Sequence, residues 1–158
     1  MLPHRDIETL RGIEGARLKQ SYKLVAQRFG LEWHGRRYDR QHPTAAALPN
    51  QALNHAATFV EAAADLAVAA VGALPPLGFI HEDSSNAFTL DIADLYRVDL
   101  ALPLAFGAVR AFLDRKADNL EREVRRRAVK LFRQEKLVSR MIDRIKELFD
   151  VDDRRSDT

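Results

Sequence analysis

Residues 50–71 read NQALNHAATFVEAAADLAVAAV, and this stretch decides the fold. Alanine and aliphatic residues dominate it, and the charges Glu61 and Asp65 interrupt it near its middle. A bilayer span needs about 20 mostly apolar residues, and a charge at its centre is costly. The stretch therefore predicts a buried helix of a water-exposed protein, with Asn50 at its start and Gly72 and Pro75-Pro76 ending it. Alanine-dense helices let neighbouring backbones approach closely, which suits the centre of an all-helical domain.

Working outward, Asp6 to Phe29 carries apolar residues at helical spacing (Ile7, Leu10, Leu18, Leu24, Val25, Phe29), with Asp6 as N-cap and Gly30 just past the end. Glu14 lies four residues from both Leu10 and Leu18, so it shares their face. A carboxylate on a core-facing stripe needs a compensating partner. Gly12 and Gly15 bracket it, and each weakens a helix by roughly 1 kcal/mol, a cost that makes sense where something approaches the backbone closely. Leu31 to Pro49 reads as loop. On the other side, Leu77 to Ile80 is a short apolar run leading into His81, followed by turn composition at Glu82 to Asn86. Helical spacing resumes from Phe88 to Tyr96. Pro103 fits the first turn of a helix over Leu102 to Phe112. Asp118 or Asn119 caps the next, to about Phe132, and Lys136 to Phe149 forms the last. The expected architecture is all-α, one multi-helix domain over residues 1–150 with a polar tail at 151–158.

The chain of 158 residues is 46% apolar and 30% charged, as globular proteins are. It has no cysteine, which excludes disulfides and thiolate metal sites and leaves His, Asp, Glu or backbone oxygen as ligands. The opening MLPHRDIETL has no apolar leader, so the expected location is the cytoplasm, with no membrane association. Net charge is only +2, with 25 basic residues against 23 acidic. The distribution says more. Arg17, Lys19, Lys23, Arg28, Arg36, Arg37 and Arg40 crowd the first forty residues, and Arg122, Arg125, Arg126, Arg127 and Lys130 crowd a later stretch. Such runs suit either a solvated helix face or a nucleic-acid surface.

Asp91 and Asp94 are three apart, so on a helix both carboxylates project to nearly the same side. Spacing alone leaves two readings: a pair held together by a cation, or Asp91 capping its helix while Asp94 pairs with Arg97. His81 ends an apolar run and fits a satisfied, partly buried histidine as well as a metal ligand. Glu14 fits a salt bridge to Arg11 or Arg17 as well as a ligand.

Four segments occur in order: Arg11-Gly12-Ile13-Glu14-Gly15-Ala16-Arg17, Gly35-Arg36-Arg37-Tyr38-Asp39, Leu77-Gly78-Phe79-Ile80-His81 and Asp91-Ile92-Ala93-Asp94-Leu95-Tyr96. Together they resemble the catalytic domain of CRISPR-associated protein one, the spacer-acquisition integrase, in its type I-E branch. The resemblance continues into Arg122-Glu123-Val124-Arg125. It implies a divalent metal, Mg²⁺ or Mn²⁺, held by Glu14, His81 and Asp94, with Asp91 a further acidic residue of the reaction. Carboxylates are hard ligands for either ion, and an imidazole suits Mn²⁺. The implied reaction is attack of a prespacer 3′-hydroxyl on a phosphodiester at the leader–repeat junction, with cleavage of branched DNA at the same site. Arg36, Arg37, Arg97, Arg122 and Arg125 would contact phosphates, and Tyr38 would stack on a base or pack against protein. Double-stranded and branched DNA, CRISPR-associated protein two and further copies of the chain are the implied partners.

Two departures stand beside the resemblance. Members of that family carry an amino-terminal β-rich domain, whereas this sequence starts just before the catalytic helix, so the helical domain alone is expected. The turn after His81 reads Glu82-Asp83-Ser84-Ser85, acidic where the related branch is basic. A second reading therefore accompanies the enzyme: a truncated, catalytically impaired module that binds DNA or partner subunits.

Overall fold

The computed structural model describes residues 7–36, 47–81 and 84–153, and every regular element among them is helical. The elements are α1 (Ile7–Arg28), α2 (Leu48–Ala70), α3 (Ala87–Asp94), a π-helical segment (Arg97–Ala101), α4 (Leu102–Leu113), α5 (Leu120–Gln134) and α6 (Leu137–Asp153). The expected all-α architecture is observed. Asp6, expected as a cap, lies outside the described residues.

Helix α2 is the hub. It packs against α3, α4, α5, α6 and the π-helical segment. Ala52, Ala56, Ala63, Ala64 and Ala67 are all but completely buried along it, interleaved with Val60 and Val68. Methyl groups at these positions let five neighbours reach one backbone. Phe88 and Ile92 of α3, Leu102 and Phe106 of α4, Val124 of α5 and Met141 and Ile145 of α6 close the core around it.

Boundaries follow local chemistry. Gly30 and Gly72 adopt left-handed φ of +64° and +71°, and the following residues, Leu31 and Ala73, donate back to Ala26 and Val68. Both helices thus end in the glycine motif that satisfies their last carbonyls. Asn119 caps α5, its side chain accepting from the Arg122 amide at 2.8 Å. Helix α2 starts two residues before the expected Asn50, which is instead buried and donates its side-chain amide to the Gly35 carbonyl at 3.1 Å. Asn50 therefore fastens the 33–36 loop to α2. Helix α6 continues to Asp153, into the residues read as tail.

The π-helical segment was not expected from the sequence. Pro103 has no N–H to offer Asp99, and its ring crowds that carbonyl; one wider turn just upstream relieves both. It follows α3 after the two-residue turn Leu95-Tyr96, runs directly into α4 and begins at Arg97, one turn after Asp94.

Helix α1 corrects the expected core stripe. Tyr22, Val25 and Ala26 are buried in its second half, but Leu10 is 46% exposed and Glu14 is exposed beside it. The first half stands clear because α1 packs mainly onto α4 and the π-helical segment. No atom among the described residues lies within 4 Å of where a Cβ would sit on Gly12 or Gly15, so the expected close approach is not made by them.

Candidate metal centre and DNA interface

The apolar run Leu77–Ile80 folds as an exposed loop rather than as core; Phe79 and Ile80 are each 67% exposed. What fixes the loop is Asp91. Its carboxylate, 6% exposed, accepts from three successive amides: Phe79 N–H, Ile80 N–H at 3.0 Å and His81 N–H at 3.1 Å. It also bonds His81 Nδ1 at 2.6 Å. Burial pushes the Asp91 carboxyl up, but these four bonds, led by that from Ile80, together hold it below its ordinary value. An ionised carboxylate only accepts, so Nδ1 donates to it, and Nε2, the nitrogen a metal would use in the neutral ring, is turned outward. Nε2 faces Asp94 Oδ2 at 3.9 Å.

A carboxylate behind an imidazole, with the other ring nitrogen turned toward a ligand-type oxygen, is how metal-binding histidines are oriented. The donor set of His81 and Asp94 therefore fits a divalent cation, with Asp91 as the orienting partner. The ion-pair reading of the acidic pair is realised in part. Asp94 does pair with Arg97, whose guanidinium donates to Oδ1. Asp91 does not cap its helix, since Asn86 occupies that position. Burial pushes Asp94 above its ordinary value, and the charges of Arg97 and His81 offset this only in part. Glu14 does not join: among the described residues no three acidic or histidine side chains converge as metal ligands, and Glu14 remains exposed on α1.

Asp94 and Arg97 form one wall of a cleft of about 830 Å³ between α1 and α2. Its floor includes Tyr22 and Trp33, whose rings stack 5.0 Å apart. Lys19, Lys23, His34 and Arg36 stand around it, and Arg36 is anchored by 3.5 Å contacts to the Asn50 carbonyl and side-chain oxygens. Of the predicted phosphate contacts, Arg36 and Arg97 thus share the cleft. Arg122 and Arg125 are exposed on α5, Arg125 paired with Glu121 at 2.7 Å, and neither lines the cleft. Arg37 and Tyr38 lie outside the described residues.

Sequence reasoning missed Glu61. It lines the cleft on α2, and burial, then the charge of Asp94, push its carboxyl up while Arg97 pulls it down. The signal was available: Leu53, Ala57 and Glu61 recur every four residues and share a face.

These features define a class: an all-helical domain with a carboxylate-oriented histidine facing an aspartate at the wall of a cation-rimmed cleft. A family model described as CRISPR associated protein Cas1 matches residues 2–111. The chain is 34% identical over 146 residues to CRISPR-associated endonuclease Cas1 1 of Rhodospirillum rubrum, covering 91% of this chain and 47% of that protein. It is 34% identical over 144 residues to CRISPR-associated endonuclease Cas1 of Escherichia coli K12, covering 91% and 46%. The crystal structure of a TtCas1–DNA complex superposes with a TM-score of 0.84 at 34% identity, over 94% of this chain and 55% of that one. The chain belongs to the CRISPR-associated protein Cas1 family, as the four sequence segments implied. It spans about half the length of the curated relatives it matches.

Proposed function

We propose that this chain is the catalytic domain of a metal-dependent DNA integrase and endonuclease of CRISPR adaptation. It joins prespacer 3′-hydroxyl ends to the repeat by transesterification and cleaves branched DNA, since a water or a DNA hydroxyl can attack the same phosphorus. The observation that carries the reading is His81, held through Nδ1 by buried Asp91 and presenting Nε2 toward Asp94 at the cleft wall. His81 and Asp94 would hold Mg²⁺ or Mn²⁺, with Glu14 as the third ligand that the family resemblance supplies. When bound, the ion would polarise the phosphoryl oxygen and ease deprotonation of the attacking hydroxyl.

The protein's own part is positional. Asp91 fixes the imidazole so that no rotamer search precedes ligation. Lys19, Lys23 and Arg36 place phosphates along the cleft without reading sequence. Binding by such contacts should weaken steeply as salt rises. The relatives' names and the DNA in the TtCas1 complex support DNA as the substrate. CRISPR-associated protein two and further copies of the chain are the partners proposed with it, and the cytoplasm is the proposed location.

One observation favours the second reading, a module that binds DNA or partners without integrating: Glu14 stands apart from His81 and Asp94. A strand-transfer assay separates them. Labelled prespacer, leader–repeat DNA and Mn²⁺ should give joined product with the wild-type chain, and Glu14→Ala and His81→Ala should both abolish it while remaining folded. Equal inertness of all three folded proteins sinks the enzyme reading and leaves the binding module.

A further inference from the structure

Arg97 holds a position that helix stability does not explain and that DNA contact alone does not account for, because in this structure it is engaged by a carboxylate. It opens the π-helical segment one turn after Asp94, and its guanidinium donates to Asp94 Oδ1. Oδ2 of the same carboxylate faces His81 Nε2. The Arg97 charge also acts on the half-buried Glu61 carboxyl of the same cleft, pulling it down while burial and Asp94 push it up. One guanidinium therefore partly offsets two carboxylates beside the centre and engages an oxygen of the one that would ligate a metal. As an anchor of the α3 end it would contribute little, because an i,i+3 pair between side chains 40% and 34% exposed is largely screened.

We propose that Arg97 is a resident counter-ion that holds Asp94 until a DNA phosphate draws it away, so that metal and DNA load cooperatively. This inference rests on the reading of His81 and Asp94 as a metal site on a DNA cleft. Two cations within about 4 Å of one carboxylate repel each other strongly where water is partly excluded. The ion and the guanidinium accordingly compete for Asp94. Arg97 has an alternative partner of matching geometry, since the planar fork that fits a carboxylate fits a phosphate equally well. Its exposure on the cleft side gives it a short path to that partner. The chain thereby avoids holding a bare divalent ion when no substrate is present. By reciprocity, DNA that tightens metal must itself be tightened by metal to the same degree.

Calorimetric titration of Mn²⁺ into the whole chain, with and without excess short DNA duplex, tests this for wild type, Arg97→Gln and Arg97→Lys, with Mn²⁺–DNA heats subtracted. Wild type should bind Mn²⁺ roughly ten-fold more tightly with duplex present, a usual size for coupling between two sites. Arg97→Gln should bind without DNA about as tightly as wild type with it, and gain little from duplex. Arg97→Lys keeps the charge without the fork, so it should bind Mn²⁺ without DNA more weakly than Arg97→Gln and gain less from duplex than wild type. If Arg97→Gln does not fold, the other two proteins still decide: Mn²⁺ affinity in wild type that ignores duplex overturns the proposal. Equal affinity of wild type and Arg97→Gln overturns it too. Mn²⁺ binding that ignores Arg97 removes the counter-ion role alone, whereas no Mn²⁺ binding by any of the three proteins removes the metal reading with it.

Discussion

At Gly78 the chain has no room for a methyl group. A Cβ there would sit 2.3 Å from the His81 carbonyl oxygen and 2.6 Å from the Ala87 Cβ. Neither neighbour is the end of a flexible side chain, so Gly78→Ala must displace the loop that presents His81. Urea unfolding should show a loss of about 1–3 kcal/mol, the usual cost of overpacking, together with weakened Mn²⁺ binding. His81, Asp91 and Asp94 were legible as candidates because residue type and order matched a known family. What Asp91 does was not legible, because its partners return from a loop 10 to 12 residues upstream and spacing along a helix says nothing about them. Glu61 was legible by its four-residue stripe; it was weighed only as a charge interrupting an apolar run.

At the scale of elements, the loop 79–81 and helix α3 are one unit because a single carboxylate joins them. Asp91 has its folded pKa lowered from 3.8, so its stabilisation is present above that value and is lost as pH falls through the folded pKa. Asp91→Asn should therefore lower the thermal midpoint at neutral pH, and the gap to wild type should close only below about pH 4. Thermal melts across pH read this directly; a gap that persists unchanged to pH 2 would contradict the clamp. The end of α4 offers a second test. Arg115 adopts φ of +55°, a conformation that costs a residue with a Cβ about 1 kcal/mol. Arg115→Gly should raise stability by up to that amount in urea titrations. The helices themselves were legible from periodicity and caps, with ends shifted by one to four residues. The π-helical turn was not, because it reflects a clash between Pro103 and the preceding turn rather than any propensity of Arg97–Ala101.

Over the whole molecule, α2 organises both core and site. Ala64 has no exposed surface at the crossing of several helices, and Ala64→Leu should destabilise the chain by about 1–3 kcal/mol or more as neighbours are forced apart. The all-α class was legible in the alanine-dense 50–71 stretch together with the helical spacing of the segments on either side of it. The stance of α1 did not, since its stripe of apolar residues is the same whether its first half meets this domain or stands clear of it. That stance leaves Glu14 outside the His81–Asp94 pair, while Asp91, His81 and Asp94 form a continuous path from loop to cleft. Cleavage of branched DNA with Mn²⁺ by wild type, His81→Ala and Asp94→Asn, each shown folded by circular dichroism, tests that path most directly. Wild type should cleave and both variants should lose at least about 100-fold, the scale expected when a metal ligand or its orienting partner is removed. Cleavage by either variant at the wild-type rate would contradict the account.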